Sequence, residues 1–105
     1  MTLQQFEAGL KDACPGLVHQ MAAPKGCHRC VVWNRYGRSS GYGDDRNQFD
    51  APKVQIDIHT QSTQDTLVED VCAALWMMDL TYIVVSEGYD DDFSDLRTIL
   101  QLVVV

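Results

Sequence analysis

Apolar and polar residues alternate along this chain with two periods, one typical of helices and one typical of strands. Near the start, apolar residues recur every three or four positions, the spacing of one helix face, at Leu3, Phe6, Leu10 and Ala13. Thr2 and Gln5 fit a capping box, in which each side chain binds the other residue's backbone N–H. Pro15-Gly16 ends the pattern, so we predict a helix over residues 2–14.

A period of two residues marks the segment KVQIDIHT, residues 53–60. Its branched apolar residues point to one side of a strand, and its polar residues Gln55, Asp57 and His59 point to the other. One side therefore meets a core, and the other meets water or a partner. β-branched and aromatic residues predict a strand over Cys30–Tyr36, and further strands are predicted over 82–86 and 96–104, with a short extended piece at 17–20.

A second, longer helix is predicted over Gln61–Asp79, with Ser62 and Asp65 forming its N-terminal cap. Its apolar stripe widens at the C-terminal end with Trp76 and Met77. The predicted element order is α-β-β-α-β-β. This order predicts an α+β fold in which two helices pack on a four-stranded antiparallel or mixed sheet.

The segment 37–52 is rich in Gly, Ser and charged residues, which predicts a long exposed loop. Loops of this length inside a compact domain are usually functional or mobile. No linker or internal repeat divides the chain, so residues 1–105 are predicted to form a single domain.

The charge of the chain is divided unequally between its two halves. Residues 1–53 hold seven Lys or Arg and five Asp or Glu, whereas 54–105 hold one Arg and ten Asp or Glu. A protomer with net charges of +2 and −9 on its two halves suits head-to-tail association, which closes into rings. The alternative is an acidic face that is merely solvated. So acidic a chain is a poor nucleic-acid binder.

The sequence also predicts the cellular compartment of the protein. Its apolar runs are far shorter than the roughly 20 residues that a membrane helix needs. The opening MTLQQFEAGL lacks the basic start and apolar centre of a signal peptide. We therefore expect a cytosolic protein with reduced cysteines and no membrane partner.

The motif CHRC, residues 27–30, is the most conspicuous candidate for chemistry. Cys27, Cys30 and His28 are candidate zinc ligands, but structural zinc usually takes two such cysteine pairs and this chain has one. A thioredoxin-type pair precedes a helix, and this pair precedes a strand. The motif therefore favours a turn that enters a strand, with Cys30 in the core.

Other reactive patterns are weaker still. The carboxylates of Asp90, Asp91, Asp92 and Asp95 lie close together in sequence, but they lack the spacing of an EF-hand calcium loop. A solvated hairpin turn explains them better. No nucleophile elbow, phosphate-binding loop or dinucleotide glycine pattern is present in the sequence. We therefore expect no catalytic residues, no enzyme activity and no cofactor.

Three segments in order carry a resemblance to a known family. They are the strand VQIDI with its polar turn, the amphipathic helix DTLVEDVCAALW, and the ending YDDDFSDLRTILQLVV with an acidic turn and an Arg-bearing strand. Together they resemble the phage tail terminator family, which includes the lambda minor tail protein U and related prophage proteins. The resemblance is best over 52–105, and it includes neither the 37–51 segment nor CHRC.

This resemblance implies a structural protein of the virion tail, present in the host cytoplasm before assembly. Such proteins form a six-membered ring on the head-proximal end of the tail tube, stop its polymerisation and offer the surface to which the head joins. The implied partners are other copies of the chain, the tail tube protein and a head-completion or connector protein. Three alternatives stay open: another head–tail joining protein of the neck, a small zinc- or thiol-binding module that uses Cys27 and Cys30, and an unrelated soluble binding domain.

Charge alone nominates the residues of the ring contact. We predict that basic residues of the first half face acidic residues of the next subunit. The candidates are Arg35, Arg38, Arg46, Asp90, Asp91, Asp92 and Arg97.

Overall fold

The computed structural model describes residues 1–39, 51–92 and 94–105. Two helices and five strands follow one another as α1 (Leu3–Ala13), β1 (Val18–Gln20), β2 (Cys30–Ser39), β3 (Ala51–Thr60), α2 (Leu67–Met77), β4 (Tyr82–Asp90) and β5 (Asp95–Val103). The predicted α+β class and the two helices are confirmed. In the described part of the chain, no helix is long and apolar enough to cross a membrane.

The strands form one mixed sheet in the order β1-β2-β3-β5-β4. The prediction of four strands was wrong, because Val18–Gln20 adds a fifth strand parallel to β2. The other neighbouring pairs are antiparallel. A three-residue strand has too few positions to show a period, and only its pairing with Val31–Trp33 defines it.

Both helices lie on one face of the sheet, which we call the helix face. Its core side chains are fully or almost fully buried and come from both helices and from alternate strand positions, including Phe6, Leu10, Val31, Trp33, Val54, Ile56, Ile58, Leu75, Leu100 and Leu102. The predicted alternation in β3 is confirmed, since Val54, Ile56 and Ile58 are fully buried, and Ile56 lies opposite Leu100 of β5. The Phe6 ring meets the Trp33 ring edge-on, with centroids 5.5 Å apart.

Helix α1 begins as its sequence predicts. The Gln5 N–H donates to Thr2 Oγ1 at 3.1 Å, and the Thr2 N–H donates to Gln5 Oε1 at 2.9 Å. This reciprocal pair satisfies backbone donors that a helix start otherwise leaves without partners.

Helix α2 starts at Leu67, six residues later than the predicted Gln61. Residues 62–65 form a turn instead, with Asp65 N–H donating to the Ser62 carbonyl at 3.2 Å. The Asp65 carboxylate then accepts from the Leu67 N–H at 3.0 Å, so Asp65 rather than Ser62 serves the first turn. The apolar stripe was also predicted too wide, because Trp76 and Met77 are 82% and 83% exposed.

The predicted 37–52 loop is shorter at both ends. Arg38 pairs with Pro52 and Ser39 with Ala51, so β2 and β3 run as a hairpin beyond the predicted strand ends. Residues 40–50 lie outside the described residues. Strand β4 likewise continues to Asp90, four residues past the predicted end at Ser86.

Candidate functional site

The face of the sheet opposite the helices, which we call the open face, carries a row of polar side chains. The register places Gln55 beside Gln101 and His59 beside Arg97. Gln101 Nε2 donates to Gln55 Oε1 at 3.2 Å, and Gln55 Nε2 donates to Asp57 Oδ1 at 3.0 Å. These contacts join the middle of β3 to β5 through side chains as well as backbone.

Arg97 is the centre of the strongest charge network on this face. Its Nη1 donates to Asp90 Oδ2 at 3.2 Å, and its Nη2 donates to Asp57 Oδ2. Burial opposes the charge of Arg97, but the hydrogen bonds and charges of Asp57 and Asp90 outweigh it and raise the arginine pKa above its ordinary value. One guanidinium thus connects β3, β5 and the end of β4.

Asp95 is a buried carboxylate between two imidazoles. The residue is 3% exposed, and its Oδ1 lies 3.1 Å from His59 Nδ1. Its Oδ2 lies 3.7 Å from His28 Nδ1, too far for a hydrogen bond. Within the described ranges, Asp95 Oδ2, His28 Nδ1 and Arg97 Nε are buried polar atoms without a hydrogen-bond partner.

Residues 21–29, which we call the strap, cross the open face near the start of β2. Arg29 anchors the strap by two bonds to the Asp65 carboxylate, at 2.8 Å from Nε and 3.1 Å from Nη2. The bond to Arg29 lowers the pKa of Asp65 and raises that of Arg29. At the other end, the Met21 N–H donates to the Trp33 carbonyl at 2.9 Å.

Between the strap and the open face lies a cavity of about 510 Å³. Strap and sheet both contribute to its wall, which includes Cys27, His28, Cys30, Asp57, His59 and Arg97. The CHRC motif and the buried charge network therefore belong to one place, although they are distant in sequence.

The two cysteines of CHRC lie beside this cavity, Cys27 at the end of the strap and Cys30 at the start of β2. Cys27 is partly exposed, and Cys30 is fully buried. The prediction that Cys30 enters a strand and is buried in the core is confirmed. Cys30 pairs with His59 and lines the cavity, and it is not part of the helix-face cluster. Burial, followed by the charge and hydrogen bond of Cys27, raises the pKa of the Cys30 thiol to about 12.

Cys27, Cys30 and His28, the candidate zinc ligands of the sequence, gain no further metal ligand from the described part of the chain. Among residues 1–39, 51–92 and 94–105, no three His, Cys, Asp or Glu side chains are grouped so that they could hold a metal ion.

The far edge of the sheet, strand β4, is the second notable surface. Its apolar side chains are exposed on both faces, at Ile83, Val84, Val85 and Tyr89. Only β5 pairs with it among the described strands. Exposed apolar edge strands commonly pair with or pack against another chain.

The predicted contact residues fall into two places. Arg35 is exposed near the hairpin end of the sheet, and Asp91 and Asp92 are exposed in the turn at the opposite end. Asp90 and Arg97 already bind one another within the chain. Arg46 and the side chain of Arg38 lie outside the described residues. The proposed pairing between subunits stays a prediction.

No family model and no curated protein matches the chain.

Sequence reasoning missed the network around Arg97 and Asp95. Alternation in β3 had placed Asp57 and His59 on a polar side, which was a usable signal. Their partners Arg97 and Asp95 come from β5, 40 and 36 residues further along the chain. Only the strand register brings them together.

Proposed function

We propose that this chain is a structural subunit of a phage tail that assembles as a ring on the tail tube. The observation that carries the proposal is the exposed apolar edge strand β4, which offers both backbone groups and side chains such as Ile83 and Tyr89 to a neighbour. Such an edge is an aggregation hazard in a protein that stays alone. In a ring, a second copy covers it.

The distribution of charge supports a head-to-tail contact. Arg35 and Lys53 lie toward the hairpin end of the sheet, and Asp90, Asp91 and Asp92 lie at the opposite end. A contact between unlike ends repeats from one subunit to the next, and it closes into a ring when the rotation allows. Opposite charges on the two ends would set the order of the subunits.

The chemistry of the open face also supports a structural role. Its charged groups are largely bound to one another, with Arg97 held by Asp57 and Asp90, and Asp95 held beside His59. These contacts fix strands and turns in place. In this role the ring ends tube polymerisation and forms the surface for the head-completion or connector protein, first in the host cytoplasm and then in the virion tail.

The first experiment measures binding to purified tail tubes by co-sedimentation and electron microscopy. The wild-type chain should cap one end of each tube as a ring. Val84→Lys, which places a charge on the β4 edge, should abolish ring formation. Val105→Lys is the matched control, because Val105 is also an exposed valine, at 71% against 52% for Val84, but lies outside every described strand.

The second experiment tests the charge pairing. Reversal of Asp91 and Asp92 to Lys should weaken assembly, and more strongly at low ionic strength because salt screens exposed charges. A compensating Arg35→Glu change should restore part of the loss. Assembly that is unchanged at low salt would remove this contact from the proposal.

Binding to isolated connector rings, with no binding to tail tubes, would point to a neck protein instead. A chain that stays monomeric at high concentration and binds neither tubes nor connectors would contradict a role in the tail altogether.

A further inference from the structure

The side chains of Cys27 and Cys30 contact one another where the strap leads into β2. The Cys27 N–H donates to the Pro24 carbonyl at 3.1 Å, and Gly26 occupies a left-handed conformation with φ of 82°, so the backbone bends sharply just before the motif. Cys30 Sγ lies 3.9 Å from the Cys27 carbonyl oxygen, and Cys27 Sγ lies 3.5 Å from the Arg29 carbonyl oxygen. Both thiols therefore lie against the backbone of the same short segment, residues 27–29.

The surroundings give the two thiols different accessibility. Cys27 is partly exposed and lines the 510 Å³ cavity, which is wide enough to admit part of a small reactant. Cys30 lines the same cavity but is fully buried. A small reactant that enters the cavity therefore reaches the Cys27 thiol before the buried Cys30 thiol.

The remaining cysteines are placed elsewhere. Cys14 ends helix α1 and is buried in the helix-face core. Cys72 lies in α2 and contacts Tyr82. Cys14 lies near enough to Arg29 of the strap for their charges to interact, but of the four described cysteines only Cys27 and Cys30 line the cavity.

We propose that Cys27 and Cys30 are a redox modification site, at which a low-molecular-weight disulfide oxidises the pair to an intramolecular disulfide. This proposal is independent of the tail function.

The reaction takes two thiol–disulfide exchanges. The Cys27 thiolate attacks one sulfur of the small disulfide, forms a mixed disulfide and releases one small thiolate. Cys30 then loses its proton to water and its sulfur attacks the Cys27 sulfur, which releases the second small thiolate. Two protein thiols are oxidised and one small disulfide is reduced to two thiols, so electrons and atoms balance.

Oxidised glutathione is the probe. The folded wild-type chain is incubated with it, the remaining thiols are blocked, and peptides are mapped by mass spectrometry. The expected product has Cys27 linked to Cys30 and no glutathione on either. Cys72 is the internal control. It is partly exposed and has no second cysteine in α2, so it should accumulate only the mixed disulfide with glutathione.

Two variants separate the steps. In Cys30→Ser, glutathione should remain on Cys27, since the resolving thiol is gone. In Cys27→Ser, Cys30 should react at least ~10-fold more slowly than Cys27 does in Cys30→Ser, because a buried, protonated thiol is a poor nucleophile.

The disulfide map of the wild-type chain tests the proposal even if a variant fails to fold. Glutathione that persists on wild-type Cys27, or a bond from Cys27 to Cys14 or Cys72, would overturn the proposal.

Discussion

The two faces of the sheet are built from the same strands but hold the molecule together in different ways. On the helix face, side chains such as Ile56 and Leu100 are apolar and fully buried under two helices. On the open face, their sequence neighbours Asp57 and Ile99 lie side by side, and charged groups make specific pairs beneath the strap. The stability of the helix face depends on the apolar area that it buries, whereas the stability of the open face depends on the geometry of a few charged contacts.

This difference predicts how each face tolerates change. Burial of apolar area is non-directional, so the helix face responds to volume and cavity size. A charge network responds to the loss of a single partner, because the groups left behind remain partly desolvated.

The largest effect is expected from Ile56→Ala. Ile56 is fully buried on the helix face, and large-to-small core changes remove transfer free energy and leave a cavity. We expect the free energy of unfolding to fall by about 3 kcal/mol, measured by urea denaturation.

Ile83→Ala is the matched control, because Ile83 is 63% exposed on the edge strand β4. The isolated chain should lose no more than about 1 kcal/mol, chiefly through the lower strand propensity of alanine. Equal losses in the two variants would show that the edge strand is buried in solution, for example by a second copy.

An intermediate effect is expected from Arg97→Met, which keeps an unbranched apolar stem but removes the guanidinium group and its charge. Asp57 and Asp90 then lose their shared partner. Because the Arg97 side chain is 30% exposed, solvent compensates in part, and we expect a loss of about 1–2 kcal/mol.

Arg29→Met provides the comparison for this network. The Arg29 side chain is 48% exposed, and an exposed pair contributes no more than about 1 kcal/mol. Both losses should shrink in high salt, and that of Arg29→Met should shrink more. An Arg97→Met loss no larger than that of Arg29→Met would mean that solvent screens the network completely.

The features that the sequence predicted well are those determined by neighbouring residues. The capping box of α1 spans the four residues from Thr2 to Gln5, and the two-sided character of β3 follows from alternation alone. The late start of α2 could not be predicted, since Asp65 is held by Arg29 from 36 residues away. Prediction of the candidate site is limited in the same way. The sequence shows CHRC and an acidic turn, but it does not show that Asp95 lies beside His28.

Cys30 allows a smaller, pH-dependent test of the open face. Burial first, and Cys27 second, raise the pKa of its thiol from 9.0 to about 12 in the folded chain. Below pH 9 the thiol is neutral in both states, so it adds no pH dependence. Between about pH 9 and pH 12 the unfolded chain releases this proton while the folded chain keeps it, so stability falls as pH rises.

Cys30→Ser should therefore flatten the alkaline decline of stability, measured as the denaturation midpoint from about pH 8, below the ordinary thiol pKa, to about pH 10.5, above it. Cys14→Ser is the comparison on the helix face, where burial also raises the thiol pKa. The two slopes should change in the same direction, because a buried thiol resists ionisation on either face. An unchanged slope in Cys30→Ser would mean that the strap opens and exposes the thiol before the chain unfolds, and the open face would then be the less stable of the two.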